Sequence, residues 1–307
     1  MFHHIFMKNL AISTDTPILA YFGHHKAGSS WILKVVYSVC SEIGIKSTHF
    51  HSPKMFNFDL AEAINRNKIQ FLSYTNADIN YVNPILQNFK GFHVIRDPRD
   101  TVVSAYFSHL YSHSDQFWPE LVDYRKQLEK VSKDEGLFLT MEHLERLKYD
   151  GVEVNVFKDM FGWNYSCPNI MEIKFEELVS NPYSKFLDIF QFLGILEKSN
   201  NIALKSVINY RLQKVISKLI YSRYMPVNNL NLISFRSPLY PWRLLSIVYD
   251  NNFIKLSGAR KPGEENIKSH YRKGIAGDWK NHFNDEHKQY FKEKYNSLLS
   301  ELGYEIL

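Results

Sequence analysis

The sequence predicts an α/β fold, with a central parallel sheet flanked by helices and a P-loop-like loop near its start. Three observations predict it. An apolar run, Pro17-Ile18-Leu19-Ala20-Tyr21-Phe22, leads into a tight glycine loop and then into a helical stripe. Further short apolar runs alternate with helical patterns, which is the order of a parallel sheet covered on both faces. The 307 residues, with 22 Phe and 19 Tyr, supply enough apolar surface for a sizeable core. The length allows one large domain or two small ones; we read residues 1–307 as a single domain.

Each element has its own justification. The first strand is the run 17–22. The loop Gly23-His24-His25-Lys26-Ala27-Gly28-Ser29-Ser30 follows it. A helix over 31–43 carries Trp31, Val35, Val39 and Ile43 on one stripe and stops at Gly44. Residues 46–57 are rich in His, Ser and Pro and read as a loop. A short helix is expected over 60–67, a second strand over 69–74 and another short helix over 83–89. Residues 91–95 form a third strand, which ends on Arg96-Asp97-Pro98-Arg99-Asp100, and a helix runs from 101 to 113. Pro98 suits the first turn, where its missing N–H has no partner to lose.

The stretch 116–162 reads as mostly helical. A fourth strand covers 170–175, Asn181-Pro182 opens a helix that Gly194 ends, and a long helix spans 199–220. Residues 221–257 are aromatic and broken by Pro226, Pro238 and Pro241, with a short helix over 242–249. They read as either a lid over an apolar ligand or a dimer surface. Residues 261–279 are polar, glycine-rich and basic. Asn284, backed by Asp285 and Glu286, caps a last helix running to 302.

Composition narrows the function. A formal net charge of +5 is too mild for a nucleic-acid binder, which carries a denser basic stripe. The two cysteines, Cys40 and Cys167, have no metal-ligand spacing and read as free thiols in a reducing compartment. No basic start followed by a long apolar stretch marks a leader, and no run is long enough to span a bilayer. No acidic cluster suggests a metal. A cytoplasmic protein is expected.

The loop between first strand and first helix points backbone N–H groups and the Lys26 cation at an anion. A nucleoside-triphosphatase loop places its lysine after the second glycine, followed by Ser or Thr. In this chain Lys26 precedes Gly28, and Ser29 and Ser30 open the helix. Trp31 either stacks on a base or belongs to the core. Arg96 lies just past a strand, with Ser104 about two helical turns on, and a guanidinium fork with a hydroxyl suits a phosphate; alternatively Arg96 pairs with Asp97 or Asp100 as a structural clamp. A third segment, Tyr271-Arg272-Lys273-Gly274, offers two cations and a close backbone approach. Ligands of parallel sheets sit at the carboxyl ends of strands, where the Lys26 and Arg96 segments both fall.

Together the three segments resemble the soluble, cytosolic-type sulfotransferases, which use 3′-phosphoadenosine 5′-phosphosulfate (PAPS) and release PAP. Arg272-Lys273-Gly274 followed by Gly277-Asp278-Trp279-Lys280-Asn281-His282-Phe283 is the most specific match. The resemblance implies that Lys26, Gly28, Ser29, Ser30 and Trp31 hold the 5′-phosphosulfate, with Trp31 beside the adenine. It implies that Arg96, Ser104, Arg272, Lys273 and Gly274 hold the 3′-phosphate or its surroundings. Phe175 stands where a family tyrosine touches the base and keeps only a packing role, and Ser206 matches a polar adenine contact. No metal is implied. The acceptor is expected to be a small molecule, lipid or glycan, and a homodimer is compatible although the family's short dimer motif is absent. The alternative function is a P-loop-type nucleotide-binding protein or small-molecule kinase.

One position departs from the family. Its usual histidine, just after the second strand, is replaced by Asn76, and an amide is no base near neutral pH. His24, His25, His49, His51 and Asp78 are the candidates to take the acceptor's proton. His25, directly before Lys26, is the first choice and Asp78 the second.

Overall fold

The computed structural model describes residues 17–116, 118–149, 151–197 and 238–306. The expected helix over 199–220, Ser206 and the first part of the 221–257 stretch lie outside the described residues.

Seven strands and twelve helices are described. They are β1 (Ile18–Gly23), α1 (Ser29–Ile43), β2 (Ser47–Phe50), α2 (Leu60–Asn67), β3 (Phe71–Tyr74), α3 (Ile79–Val82) and β4 (Phe89–Ile95). Then come α4 (Pro98–Phe107), α5 (Glu120–Leu128), α6 (Lys133–Glu145), β5 (Leu147–Tyr149), β6 (Val152–Val154), α7 (Val156–Phe161) and β7 (Ile170–Lys174). The chain continues through α8 (Phe175–Ser180), α9 (Pro182–Phe192), α10 (Pro241–Asp250), α11 (Phe253–Leu256) and α12 (Asp285–Glu301).

Five strands make one parallel sheet in the order β2-β3-β1-β4-β7. The α/β expectation holds. From β1 the chain turns towards β3 and β2, while from β4 it turns the other way, to β7. The loops leaving β1 and β4 therefore diverge and leave a crevice between them, where such sheets bind ligands.

Alternation along β1 divides the core. Tyr21 faces the side packed by Val35 and Val36 of α1, Phe186 and Phe190 of α9, and Leu244 and Val248 of α10. Ala20 and Phe22 face Phe56, Leu60, Ile64 and Trp163 on the other side. A third cluster joins α4, α6 and α12 around Trp118. Helix ends follow local chemistry: Gly44 closes α1 at φ 69°, a conformation glycine adopts without a side-chain clash. Asn284 and His287 cap α12 reciprocally, with His287 in the place a glutamate or glutamine usually takes.

Three expectations need correction. The 46–57 loop contains edge strand β2 and a 3-10 turn, Pro53–Phe56, because His49 and Phe50 pair with Ser73 and Tyr74 across the ladder. The 116–162 stretch is not simply helical, since β5 and β6 form an antiparallel hairpin at its end. The expected helix at 83–89 is a 3-10 turn, Asn83–Asn88, preceded by α3. In the 221–257 stretch, the buried side chains of α10 (Leu244, Ile247 and Val248) join the core face of α1 and α9.

Candidate functional site

A cavity of about 640 Å³ opens at the carboxyl ends of β1, β3 and β4. Eleven of the residues assigned from sequence to the cofactor or the chemistry line it: His25, Lys26, Gly28, Ser29, Ser30, Trp31, Arg96, Ser104, Arg272, Lys273 and Gly274. The three sequence segments thus meet in one space.

The first wall is the β1–α1 loop. Lys26 adopts φ 65° and Gly28 φ 83°. A Cβ on Gly28 would overlap Cε2 of Phe175, so the tight turn leaves room for glycine only. The N-terminus of α1 has no side-chain cap and no acidic residue in its first turn. Its N–H groups and dipole therefore face the cavity ready for an anion. Burial, and then the neighbouring Arg96 and Arg272 charges, lower the Lys26 ammonium to about 7. Lys26, Arg96 and Arg272 thus bring three basic side chains to one space.

The second wall is the β4–α4 segment. Arg96 donates to the Lys26 carbonyl at 3.0 Å and lies 4.8 Å over the Phe175 ring. Its Nε is buried without a partner. The clamp reading for Arg96 is weak: Asp100 is 3.9 Å away, and Asp97 is taken by Arg99, whose Nη2 donates to it at 2.7 Å. Asp100 has another task. Its carboxylate accepts from Gly277 N at 2.6 Å and Trp279 N at 2.8 Å, tying the second segment to the third.

In the third wall Arg272 is paired with Glu265 and Asp278, and Lys273 donates to Asp278 at 2.6 Å. Burial pushes the Asp278 carboxyl up, but the hydrogen bonds from His282, Lys273, Asn281 and Arg272 outweigh it and hold the group well below the usual carboxylate range. Glu265, Asp278 and His282 lie close enough together for a cation, yet Asp278 is already saturated by these donors. Gly274 adopts φ 68°, and a Cβ there would strike the Phe253 ring at 2.5 Å. Arg260 ties the backbone together, donating to the carbonyls of Glu264, Tyr271 and Arg272.

The far end of the cavity is different. His25, His49, His51, Thr75, Asn76, His113 and Tyr149 line it. His25 Nε2 lies 2.9 Å from His109 Nε2, and the ring is also hydrogen-bonded to Asn76. Burial, then the Lys26 charge, push His25 well below the usual histidine value. Asn76 donates to the His51 carbonyl at 3.0 Å. His24 does not line the cavity: it is buried against His93, which in turn donates through Nδ1 to Glu172 at 2.6 Å. Asp78 is not a lining residue either; it caps α3 by accepting from Asn80 N at 2.9 Å.

Asp100, Arg260, Phe253, His113 and His270 were not singled out in sequence. Asp100 was legible only as a charge near Arg96. Phe253 lies in the aromatic 221–257 stretch, His113 at the end of the helix expected over 101–113, and Arg260 and His270 in or beside the polar 261–279 stretch, where no spacing marks them out. His270 bonds Ser30 Oγ through Nε2 at 2.7 Å, and burial lowers it to about 4.

A family model described as the sulfotransferase domain matches residues 18–225. Mouse sulfotransferase SULT7A1, solved in complex with PAP, is similar in structure, with a TM-score of 0.53 at 14% identity over 92% of this chain and 84% of that one. Retinol dehydratase, solved with androsterone and the inactive cofactor PAP, gives 0.49 at 13% identity over 92% and 80%. No curated protein matches the chain by sequence. Among the described residues no helix is long and apolar enough to cross a membrane.

Proposed function

The chain belongs to the sulfotransferase domain family, and from that premise we propose that it moves a sulfuryl group from PAPS to a hydroxyl or amine of an acceptor. The observation that carries this reading is the convergence of Lys26, the uncapped start of α1, Arg96 and Arg272 on one cavity. Sulfuryl transfer is an in-line displacement in which charge builds on the leaving oxygen, so positioning and electrostatics supply most of the rate.

On this reading Lys26 and the N–H groups of Gly28, Ser29 and Ser30 hold the 5′-phosphosulfate, and Lys26 stabilises the charge that grows as the bridging bond breaks. Arg96, Ser104, Arg272, Lys273 and Gly274 hold the 3′-phosphate. Trp31, Phe175 and Phe253 offer the aromatic surface an adenine needs. The histidine-lined end takes the acceptor; its imidazoles, Thr75 and Asn76 suit a hydroxylated small molecule better than a purely apolar one. A single domain over 1–307 and a cytoplasmic location belong to the same proposal.

Thermal unfolding with added ligand tests it. Saturating PAP stabilises the protein, by about 2.7 kcal/mol at a hundred times its Kd, while adenosine 5′-phosphosulfate, lacking the 3′-phosphate, stabilises it less. In Arg272→Ala that discrimination shrinks. Stabilisation by Mg²⁺-ATP in place of PAP would overturn the assignment in favour of a kinase or nucleotide binder. A screen of acceptors with radiolabelled PAPS then identifies the second substrate.

A further inference from the structure

An acceptor hydroxyl must lose a proton as its oxygen attacks sulfur, and the structure offers a group for this that the sequence did not mark. Five imidazoles line the cavity: His25, His49, His51, His113 and His270. Three have ring nitrogens committed to other side chains. His25 is bonded to His109 and Asn76, His49 Nε2 lies 2.9 Å from Thr75 Oγ1, and His270 Nε2 lies 2.7 Å from Ser30 Oγ at the phosphate end. His51 packs its ring edge-on against Tyr149 at 4.7 Å.

His113 is placed differently. Its Nδ1 is 3.1 Å from the Ser114 carbonyl oxygen. A carbonyl only accepts, so Nδ1 carries the hydrogen and the lone pair of the neutral ring is on Nε2. Nε2 has no hydrogen-bond partner among the described residues. The ring is half-buried and edge-on to Trp118 at 5.1 Å. Its backbone is held as firmly. α4 ends in a π-helical turn, Ser108–Ser112, closed by His113 N donating to the Ser108 carbonyl at 2.7 Å. Such turns are frequent at functional sites. Arg125 then donates to the carbonyls of His113 at 2.6 Å and His109 at 2.8 Å.

Resting on the sulfuryl-transfer reading above, we propose that His113 is the general base, taking the acceptor's proton on Nε2. The acceptor O–H bond breaks as its oxygen bonds sulfur. The sulfur–oxygen bond to the nucleotide breaks, and its electron pair leaves on the phosphate of PAP. The proton rests on Nε2 of an imidazolium whose Nδ1–H still points at Ser114, and passes to water once product leaves. Around the ring stand Lys26 from the β1–α1 loop, Arg125 from α5, His51 after β2, His25, His109 and His270. Burial and then the Lys26 charge lower His113, against the raising effect of the Ser114 bond, and this net lowering favours the neutral ring that can accept a proton.

Two substitutions test the proposal. His113→Asn keeps a donor near Nδ1 for Ser114 and deletes Nε2; His113→Gln keeps a polar atom near Nε2 that cannot take a proton. Each is assayed for PAPS-dependent sulfonation of a series of phenols of graded acidity, alongside the thermal shift with PAP. Both variants should retain the PAP shift. Both should lose about 10²-fold or more with weakly acidic phenols, and much less with 4-nitrophenol, which needs little help from a base. The acidic limb of the kcat–pH profile should flatten. Equal losses across the series, or an acidic limb unchanged in His113→Asn, would overturn the role of His113 while leaving the PAP shift and the sulfuryl-transfer reading standing. Absence of the PAP shift in the unsubstituted protein would instead overturn that reading and the base with it.

Discussion

The guanidinium of Arg96 donates to the backbone carbonyl of Lys26 at 3.0 Å, joining the loop after β1 to the segment after β4. Lys26 is a non-glycine residue at φ 65°, a conformation disfavoured by about 1–2 kcal/mol. Arg96 thus helps hold the turn that aims the lysine. Arg96→Gln is expected to weaken PAP binding by about 10-fold or more, since a charge-assisted bond contributes about 1.5–3 kcal/mol, and to speed amide exchange in the loop. Unchanged exchange at Ala27 and Gly28 would show that the turn stands without it.

The Lys26 ammonium, lowered to about 7 by burial, Arg96 and Arg272, is largely neutral in the free protein at pH 8. A bound anion favours the charged form. Binding of PAP at pH 8 is therefore expected to take up about one proton per site, measured by calorimetry in buffers of different ionisation heat, and Lys26→Met should abolish the uptake. Lys26→Ala should lower turnover about 10²–10³-fold with a far smaller effect on PAP affinity. Proton uptake that survives in Lys26→Met would assign it to another group.

Gly28 and Phe175 are coupled by space alone. The Cβ of Gly28→Ala would overlap the Phe175 ring, at φ 83°. This substitution should destabilise the fold by about 1–3 kcal/mol from overpacking, with the backbone strain added. Adding Phe175→Leu should recover the overpacking part and leave the strain. Strictly additive effects in thermal unfolding would mean that Phe175 moves aside freely.

Three buried histidines give the stability a pH dependence. Burial and then His93 lower His24; burial and then Lys26 lower His25; burial and then His25 lower His109. Neutral in the fold, each takes up a proton on unfolding once the pH is below about 6.5. Unfolding then binds protons, so stability falls as the pH drops from about 6.5, by up to about 1.4 kcal/mol per unit for each group. Tm measured from pH 7.5 to 5 should decline steadily below 6.5. A level Tm across that range contradicts the assignment of neutral buried rings.

Sequence pattern conveyed the elements that bury a regular stripe or carry a stop signal. α1 with Gly44, α2, β3, β4 and α12 with its Asn284 cap all have local chemistry that agrees with their packing. β2 was hidden because it is a short edge strand, with three of its four residues only half-buried. The β5–β6 hairpin was hidden because three-residue strands have too little alternation to read. At the site, Lys26, Arg96 and Arg272 were legible because anion chemistry restricts residue type. His113 was not, because its claim rests on a tautomer fixed by the Ser114 carbonyl and on a π-helical turn, neither of which has a sequence pattern. His25 was chosen for nearness to Lys26 along the chain, which gave no sign of His109 beside it.

The pairing of Arg272 and Lys273 with Asp278 and Glu265 sets how this wall is felt at a distance. Two cations against two carboxylates cancel beyond a Debye length, about 8 Å at physiological ionic strength. The wall therefore contributes little to drawing an anion out of bulk solution, and Arg96, joined by Lys26 once the pH is below about 7, must supply most of the steering. What the wall offers is recognition at contact, where a phosphate meets N–H donors already held in place. Changes in salt should accordingly alter the rate of encounter through the loop cations, and leave the choice between ligands at the 3′ position nearly untouched.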